Sequence, residues 1–180
     1  VYSVAYLVEK GIKPEDILLL TFSRKAACEM LRRAALILLD ERCNKVSGGT
    51  FHSFAAGILR KYAKFLDLSH NFTILDRSDS EDVLNLIRTK LGFNKSEKRF
   101  PRKTALLNII SKGINKSQSI ENVLYDEYPQ FIEWREEIKK IKSEYSGYKR
   151  LKSLLDYDDL LVYLKELLTK QEGLRLSLAG

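Results

Sequence analysis

Twice within the first 65 residues, a short apolar or small-residue run ends in Thr-Phe and passes straight into a helical pattern. The first run, Ile17-Leu18-Leu19-Leu20-Thr21, leads through Phe22-Ser23 into a helix that reaches about Asp40. Its apolar positions are Ala26, Ala27, Met30, Leu31, Ala34 and Leu38. The second, Val46 to Thr50, leads through Phe51 into a helix from His52 to Phe65, with Phe54, Ile58, Leu59, Tyr62 and Phe65 on one face. An unbroken apolar run such as Ile17 to Leu20 suits a strand covered by helices on both faces. Strand, helix, strand, helix in that order predicts a parallel α/β layer. Ser23 stands where a helix N-cap belongs. Upstream, residues 1 to 10 read as the end of a helix closed by Gly11, and Pro14-Glu15-Asp16 as a turn.

After Asn71 the pattern changes. Phe72 to Leu75 is a brief extended piece, and Ser78 or Asp79 is placed to cap a helix through Leu91. Gly92 to Arg102 is a basic loop. Helices follow over Lys103 to Lys112 and Ile120 to Tyr125, then one long helix from about Gln130 to Leu155. In that helix Trp134, Ile138, Ile141, Tyr145, Tyr148 and Leu151 recur at spacings of four and three, an apolar stripe for packing. Gly147 weakens it locally by about 1 kcal/mol. The chain thus divides into a partial α/β layer over residues 1–71, a mainly helical subdomain over 72–155 and a return segment over 156–180. Helix dominates overall.

Charge is distributed in blocks. Arg88 to Gln118 carries nine basic residues against Glu97 alone, Ser119 to Glu137 six acids against Arg135, and Lys139 to Lys152 six bases against Glu144. A polyanion such as nucleic acid fits the basic blocks, and so does a plain solvated lysine-rich face. A length of 180 residues suffices for one good core or two modest ones. No apolar run approaches the roughly 20 residues of a bilayer span, and residues 1 to 20 lack the features of a signal peptide. Cys28 and Cys43 have no metal spacing and read as reduced thiols, so a cytoplasmic compartment with no membrane partner is expected. The chain opens at Val1 inside an apolar helical pattern and stops at Leu178-Ala179-Gly180, which reads as a segment of a longer protein.

The two strand-to-helix junctions are the candidate chemistry. In parallel layers ligands sit at the carboxyl ends of strands, where the next helix begins and its free N–H groups suit a phosphate. Ser23 and Lys25 add a hydroxyl and a charge, and Phe22 offers a face on which a base can stack. Gly48-Gly49-Thr50-Phe51-His52-Ser53 repeats the arrangement, so the two junctions together would form one platform. The plainer alternative has Phe22 and Phe51 closing the top of the core and His52 capping its helix.

Leu20-Thr21-Phe22-Ser23-Arg24-Lys25-Ala26-Ala27-Cys28-Glu29-Met30 resembles motif Ia of the UvrD/Rep/PcrA-type superfamily-one DNA helicases. Gly49-Thr50-Phe51-His52-Ser53-Phe54 resembles their motif Ib, with Ile58-Leu59-Arg60 in keeping. Phe72-Thr73-Ile74-Leu75-Asp76 is similar to the segment that leads into their inserted helical subdomain, and Leu155-Asp156-Tyr157-Asp158-Asp159-Leu160-Leu161 to the one that returns from it. The resemblance implies part of a first RecA-like motor domain carrying a helical insertion. It implies single-stranded DNA contacts at Thr21, Phe22, Arg24, Lys25, Thr50, Phe51 and His52, where the family often has Asn at the position of Arg24. It also implies a basic patch near the duplex junction, formed by Lys95, Lys98, Arg99, Arg102 and Lys103. ATP and Mg²⁺ are implied for the longer protein, with no cofactor or metal site in this segment.

The nucleotide site needs a P-loop to cradle the phosphates and an acidic segment for Mg²⁺. The sequence contains neither GxxxxGK[ST] nor DExQD. Asp156-Tyr157-Asp158-Asp159 is the one acidic cluster of interest, open to a metal reading or to a helix-start role. Two other functions fit the same residues: a stand-alone nucleic-acid-binding module without a motor, and a helical protein-interaction domain. Because the phosphate-binding loop is missing from the 180 residues, the purified chain is expected to show no ATP turnover in a coupled phosphate-release assay. Steady hydrolysis that persists through repeated purification would contradict this.

Overall fold

The computed structural model describes residues 1–38, 45–93 and 100–179. It is helix-dominated, with two small parallel sheets, and it divides into two compact units. One consists of Val1–Leu66 together with Tyr163–Gly180, the other of Asp67–Val162.

In the first unit, helix α1 (Tyr2–Glu9) ends where Gly11 takes φ 89°, a left-handed turn that suits glycine. A 3-10 turn at Pro14–Asp16 leads into strand β1 (Leu18–Thr21). Helix α2 (Arg24–Leu38), strand β2 (Ser47–Thr50) and helix α3 (Phe51–Tyr62) follow. Strands β1 and β2 pair in parallel, in the register Leu18↔Ser47 through Thr21↔Thr50. The core is formed by Val4, Val8, Ile17, Ala34 and Val46, with Leu19 and Leu31 against it. A Cβ on Gly48 would lie 2.8 Å from Leu31 Cδ1, so a side chain there would require the end of the Leu31 side chain to shift.

Two expectations change here. Strand β1 is not covered on both faces: side chains alternate across a strand, and while Leu19 packs on the core, Leu18 is 47% exposed. Phe65 leaves the packed face of α3, because the helix tightens into a 3-10 turn at Ala63–Leu66 and rotates the ring outward. Leu59 is buried as expected, and Ala55, Ala56 and Ala63 are buried with it. The end of the expected α2 helix at Asp40, and Cys43, lie outside the described residues.

The second unit opens with strand β3 (Thr73–Ile74) and helix α4 (Arg77–Lys90). The cap of α4 is Asp76 rather than Ser78 or Asp79. Its carboxylate accepts from the Asp79 backbone N–H at 2.8 Å, and the Asp79 carboxylate accepts from that of Asp76, a reciprocal capping box. Helices α5 (Lys103–Asn115), α6 (Ile120–Glu127) and α7 (Arg135–Leu151) follow, with a 3-10 helix over Pro129–Trp134 before α7. The expected continuous helix from Gln130 to Leu155 is therefore three elements. Proline starts the 3-10 piece, and Ser153 at φ 52° turns the chain out of α7. Leu154-Leu155 then forms strand β4, parallel to β3. Helix α8 (Tyr157–Lys170) begins in this unit and ends in the first, followed by α9 (Glu172–Ala179).

The core of the second unit gathers Leu84, Ile87, Leu106, Ile109, Ile138, Ile141 and Tyr145. Phe100 stacks on Phe93 and meets Trp134 edge-on, each at 5.2 Å between centroids. From the predicted stripe, Ile138, Ile141 and Tyr145 are buried, whereas Leu151 is 80% exposed because the chain turns away beside it. Ile141→Ala, which empties a site with no solvent access, is expected to destabilise this unit by about 2–5 kcal/mol. Urea titration followed by fluorescence of Trp134, the one tryptophan of the chain, measures it.

Candidate nucleic-acid interface

The register Thr21↔Thr50 places the two Thr-Phe junctions side by side. Each threonine shapes the turn that follows it. The Thr21 hydroxyl donates to the Ser23 carbonyl at 2.7 Å, and the Ser23 hydroxyl accepts from the Ala26 N–H at 3.1 Å, capping α2. Thr50 caps α3, accepting from the Ser53 N–H at 3.1 Å and meeting the Ser53 hydroxyl at 2.9 Å. Both turns push the next residue, a phenylalanine, past the end of its strand.

Phe22 and Phe51 therefore meet, with ring centroids 5.6 Å apart and planes tilted by 45°. Phe22 is 96% exposed and Phe51 40%, so neither ring plugs a core. Arg24 and Lys25 are exposed on the first turn of α2, and His52 is half-buried on the first turn of α3. These seven residues, Thr21, Phe22, Arg24, Lys25, Thr50, Phe51 and His52, belong to two successive junctions of one sheet. An aromatic pair beside two helix starts, with basic side chains and hydroxyls around it, is suited to stacking one base and holding its phosphates.

The second basic cluster is described only in part. Lys95, Lys98 and Arg99 lie outside the described residues; Arg102 is exposed and Lys103 pairs with Asp82. Farther along, Lys112 and Lys116 share Glu127, and Lys139 bridges Glu121 and Glu136. Much of the alternating charge seen in the sequence is thus matched within the unit. The pKa values of Glu121 and Glu127 are lowered mainly by hydrogen bonds from these lysines.

The acidic cluster is a helix start. Asp156 and Asp159 form a capping box for α8, each carboxylate accepting from the other's backbone N–H, at 3.0 and 2.9 Å. The buried ammonium of Lys149 donates to both carboxylates, and the Tyr145 hydroxyl donates to Asp156 at 2.9 Å. Burial, then the neighbouring charge of Asp156, raises the pKa of Asp159, and burial does the same to Tyr145. Among the described residues no group of three or more His, Cys, Asp or Glu is arranged to hold a metal ion, and no helix is long and apolar enough to cross a membrane.

Sequence reasoning missed two features. Lys149 reads as one more exposed lysine, yet it is 5% exposed; its only sequence signal is its place four residues after Tyr145 on the buried stripe. Glu29 reads only as part of a motif. In the fold it accepts from Arg32 through two bonds of 3.0 Å and from Arg33 at 2.7 Å.

The family model for the UvrD/REP helicase N-terminal domain matches residues 1–179, and the chain belongs to that family. It is 29% identical over 185 aligned residues to the ATP-dependent DNA helicase srs2 of Schizosaccharomyces pombe, covering 93% of this chain and 20% of that protein. It is 32% identical over 167 residues to the ATP-dependent DNA helicase PcrA of Staphylococcus epidermidis, covering 89% of this chain and 21% of the relative. The PcrA of Staphylococcus aureus is 30% identical over 166 residues, with the same coverage. The chain spans about a fifth of the length of these relatives.

Removing the buried cation by Lys149→Met leaves two carboxylates without their counter-ion, an expected loss of about 3–5 kcal/mol at neutral pH. The sign of the pH dependence follows from Asp159. Its folded pKa is raised, so its contribution favours the fold below the ordinary aspartate range and is lost as pH rises through the folded value. Without Lys149 the Asp159 carboxylate is harder still to ionise, and the deficit of the variant should shrink as pH falls from 7 toward 5. Urea midpoints across that range measure it; a deficit that grows on acidification would contradict the assignment.

Proposed function

We propose that this chain is part of the first motor domain of an ATP-dependent DNA helicase and supplies a portion of its single-stranded DNA track. The observation that carries the reading is the Phe22–Phe51 pair. Phe22 is 96% exposed, so packing does not account for an aromatic ring there, whereas base stacking does. Arg24 and Lys25 at one junction and His52 at the other then hold the sugar-phosphate backbone across the step, while Thr21 and Thr50 fix the turns that present them. The relatives described above, ATP-dependent DNA helicases in each case, support the same reading.

On this reading residues 72–155 are a helical subdomain inserted into a RecA-like layer, and 156–180 return to that layer. Support comes from the first unit being built of Val1–Leu66 and Tyr163–Gly180, with the second unit between them in sequence. The basic residues Lys95, Lys98, Arg99, Arg102 and Lys103 contribute to binding at the duplex junction, where Lys103 exchanges Asp82 for a phosphate. ATP and Mg²⁺ are bound by parts of the whole protein outside these residues, and the protein works in the cytoplasm.

The test is fluorescence anisotropy of labelled single strands with wild type, Phe22→Ala and His52→Ala. Loss of the stacking ring is expected to cost about 1–3 kcal/mol, roughly a 5- to 150-fold weaker complex. Binding by all forms should fall steeply with salt. Salt-independent binding, or full affinity in Phe22→Ala, would overturn the track and favour a protein-docking role.

A further inference from the structure

We propose that Glu29 is an electrostatic clasp on an extension of the DNA path, one that runs from Phe22 along α2 past Lys25 to Arg32. The inference rests on the track reading above and deepens it.

A groove opens beside the Phe22 junction, lined by Ser23, Lys25, Ala26, Cys28, Glu29 and Arg32. Lys25, Cys28, Glu29 and Arg32 stand at i, i+3, i+4 and i+7, which sets them on one face of the helix. Lys25 and Arg32 are about 10 Å apart along the axis, the length of about three nucleotides in a stacked strand. At its near end the groove has a lysine with no acidic partner among the described residues. At its far end stands the Arg32 guanidinium, held by the Glu29 carboxylate, which also accepts from Arg33 outside the groove.

That carboxylate is unusual in its load. Glu29 uses both oxygens on Arg32 and one of them again on Arg33, and all three side chains are open to solvent. The Arg32 and Arg33 hydrogen bonds lower its pKa to about 2, so the clasp stays charged at any ordinary pH. Exposed pairs of this kind add little to stability, whereas each guanidinium held by Glu29 is one fewer available to a phosphate. A phosphate arriving from the Phe22 step offers Arg32 the same bidentate geometry and the same single negative charge. Glu29 thus weakens the hold of this stretch on the backbone, which keeps a track releasable.

The test uses Glu29→Gln, Arg32→Ala, the double variant and Phe22→Ala in the protein at its full natural length, with a fluorescein-labelled oligothymidine. Glu29→Gln is expected to bind about three- to tenfold more tightly at about 50 mM salt, with a log-log salt slope steeper by about 0.7 for each added phosphate contact. The gain should vanish in the double variant, which separates a contact through Arg32 from a general change in charge. In a Cys43→Ser background, the oligothymidine should slow maleimide labelling of exposed Cys28. If Glu29→Gln binds no more tightly, or Cys28 labels at an unchanged rate under saturating DNA, while Phe22→Ala still weakens binding, the clasp is wrong and the track stands. If Phe22→Ala binds like wild type, both fall.

Discussion

Four residue pairs of parallel strand, Leu18↔Ser47 through Thr21↔Thr50, set the position of every group at the candidate interface. Neighbouring strands run about 4.8 Å apart, so two residues that follow matched strand ends are forced into contact. Phe22 and Phe51 meet for that reason, at 5.6 Å. A slip of one residue would turn one ring toward the opposite face of the sheet. The register is itself held by packing: Gly48 leaves the room that Leu31 of α2 occupies, and Thr21 and Thr50 bind the turns that end their strands.

The same unit shows how little of a helix's charge is committed to folding. Arg24 and Lys25 are exposed at the start of α2, while Arg32 and Arg33 bind a carboxylate that water could equally well replace. In the second unit the balance is different. There Asp82, Glu121, Glu127 and Glu136 answer lysines that the charge blocks alone would assign to a polyanion. Lys149 is a separate case, since its ion pairs are buried and tie α7 to the first turn of α8. Surface pairs can exchange one partner for another; this one cannot without exposing two carboxylates to a low-dielectric interior.

Local chemistry made much of the fold legible. Gly11 closing α1, Ser23 capping α2, the parallel β1–α2–β2–α3 order and the helix start at Asp156 to Asp159 all follow from residues adjacent in the chain. The errors lie where a local pattern had two outcomes. Leu154-Leu155 continues an apolar stripe and also makes a strand, and only its pairing with Thr73-Ile74, much earlier in the chain, selects the strand. Phe65 and Leu151 keep helical spacing, yet a tightened turn and a left-handed residue carry them into solvent.

The candidate interface divides along the same line. The sequence by itself determined the repeated Thr-Phe junctions, the basic residues beside them and the absence of a phosphate-binding loop, because each is a matter of residue type and spacing within a few positions. Only the tertiary structure decided that Phe22 and Phe51 form one exposed pair, that Glu29 holds two arginines, and that Lys149 is buried. Those outcomes depend on strand register, side-chain direction and solvent exclusion, and each is set by residues distant in the chain or by rotamers that a linear pattern does not encode.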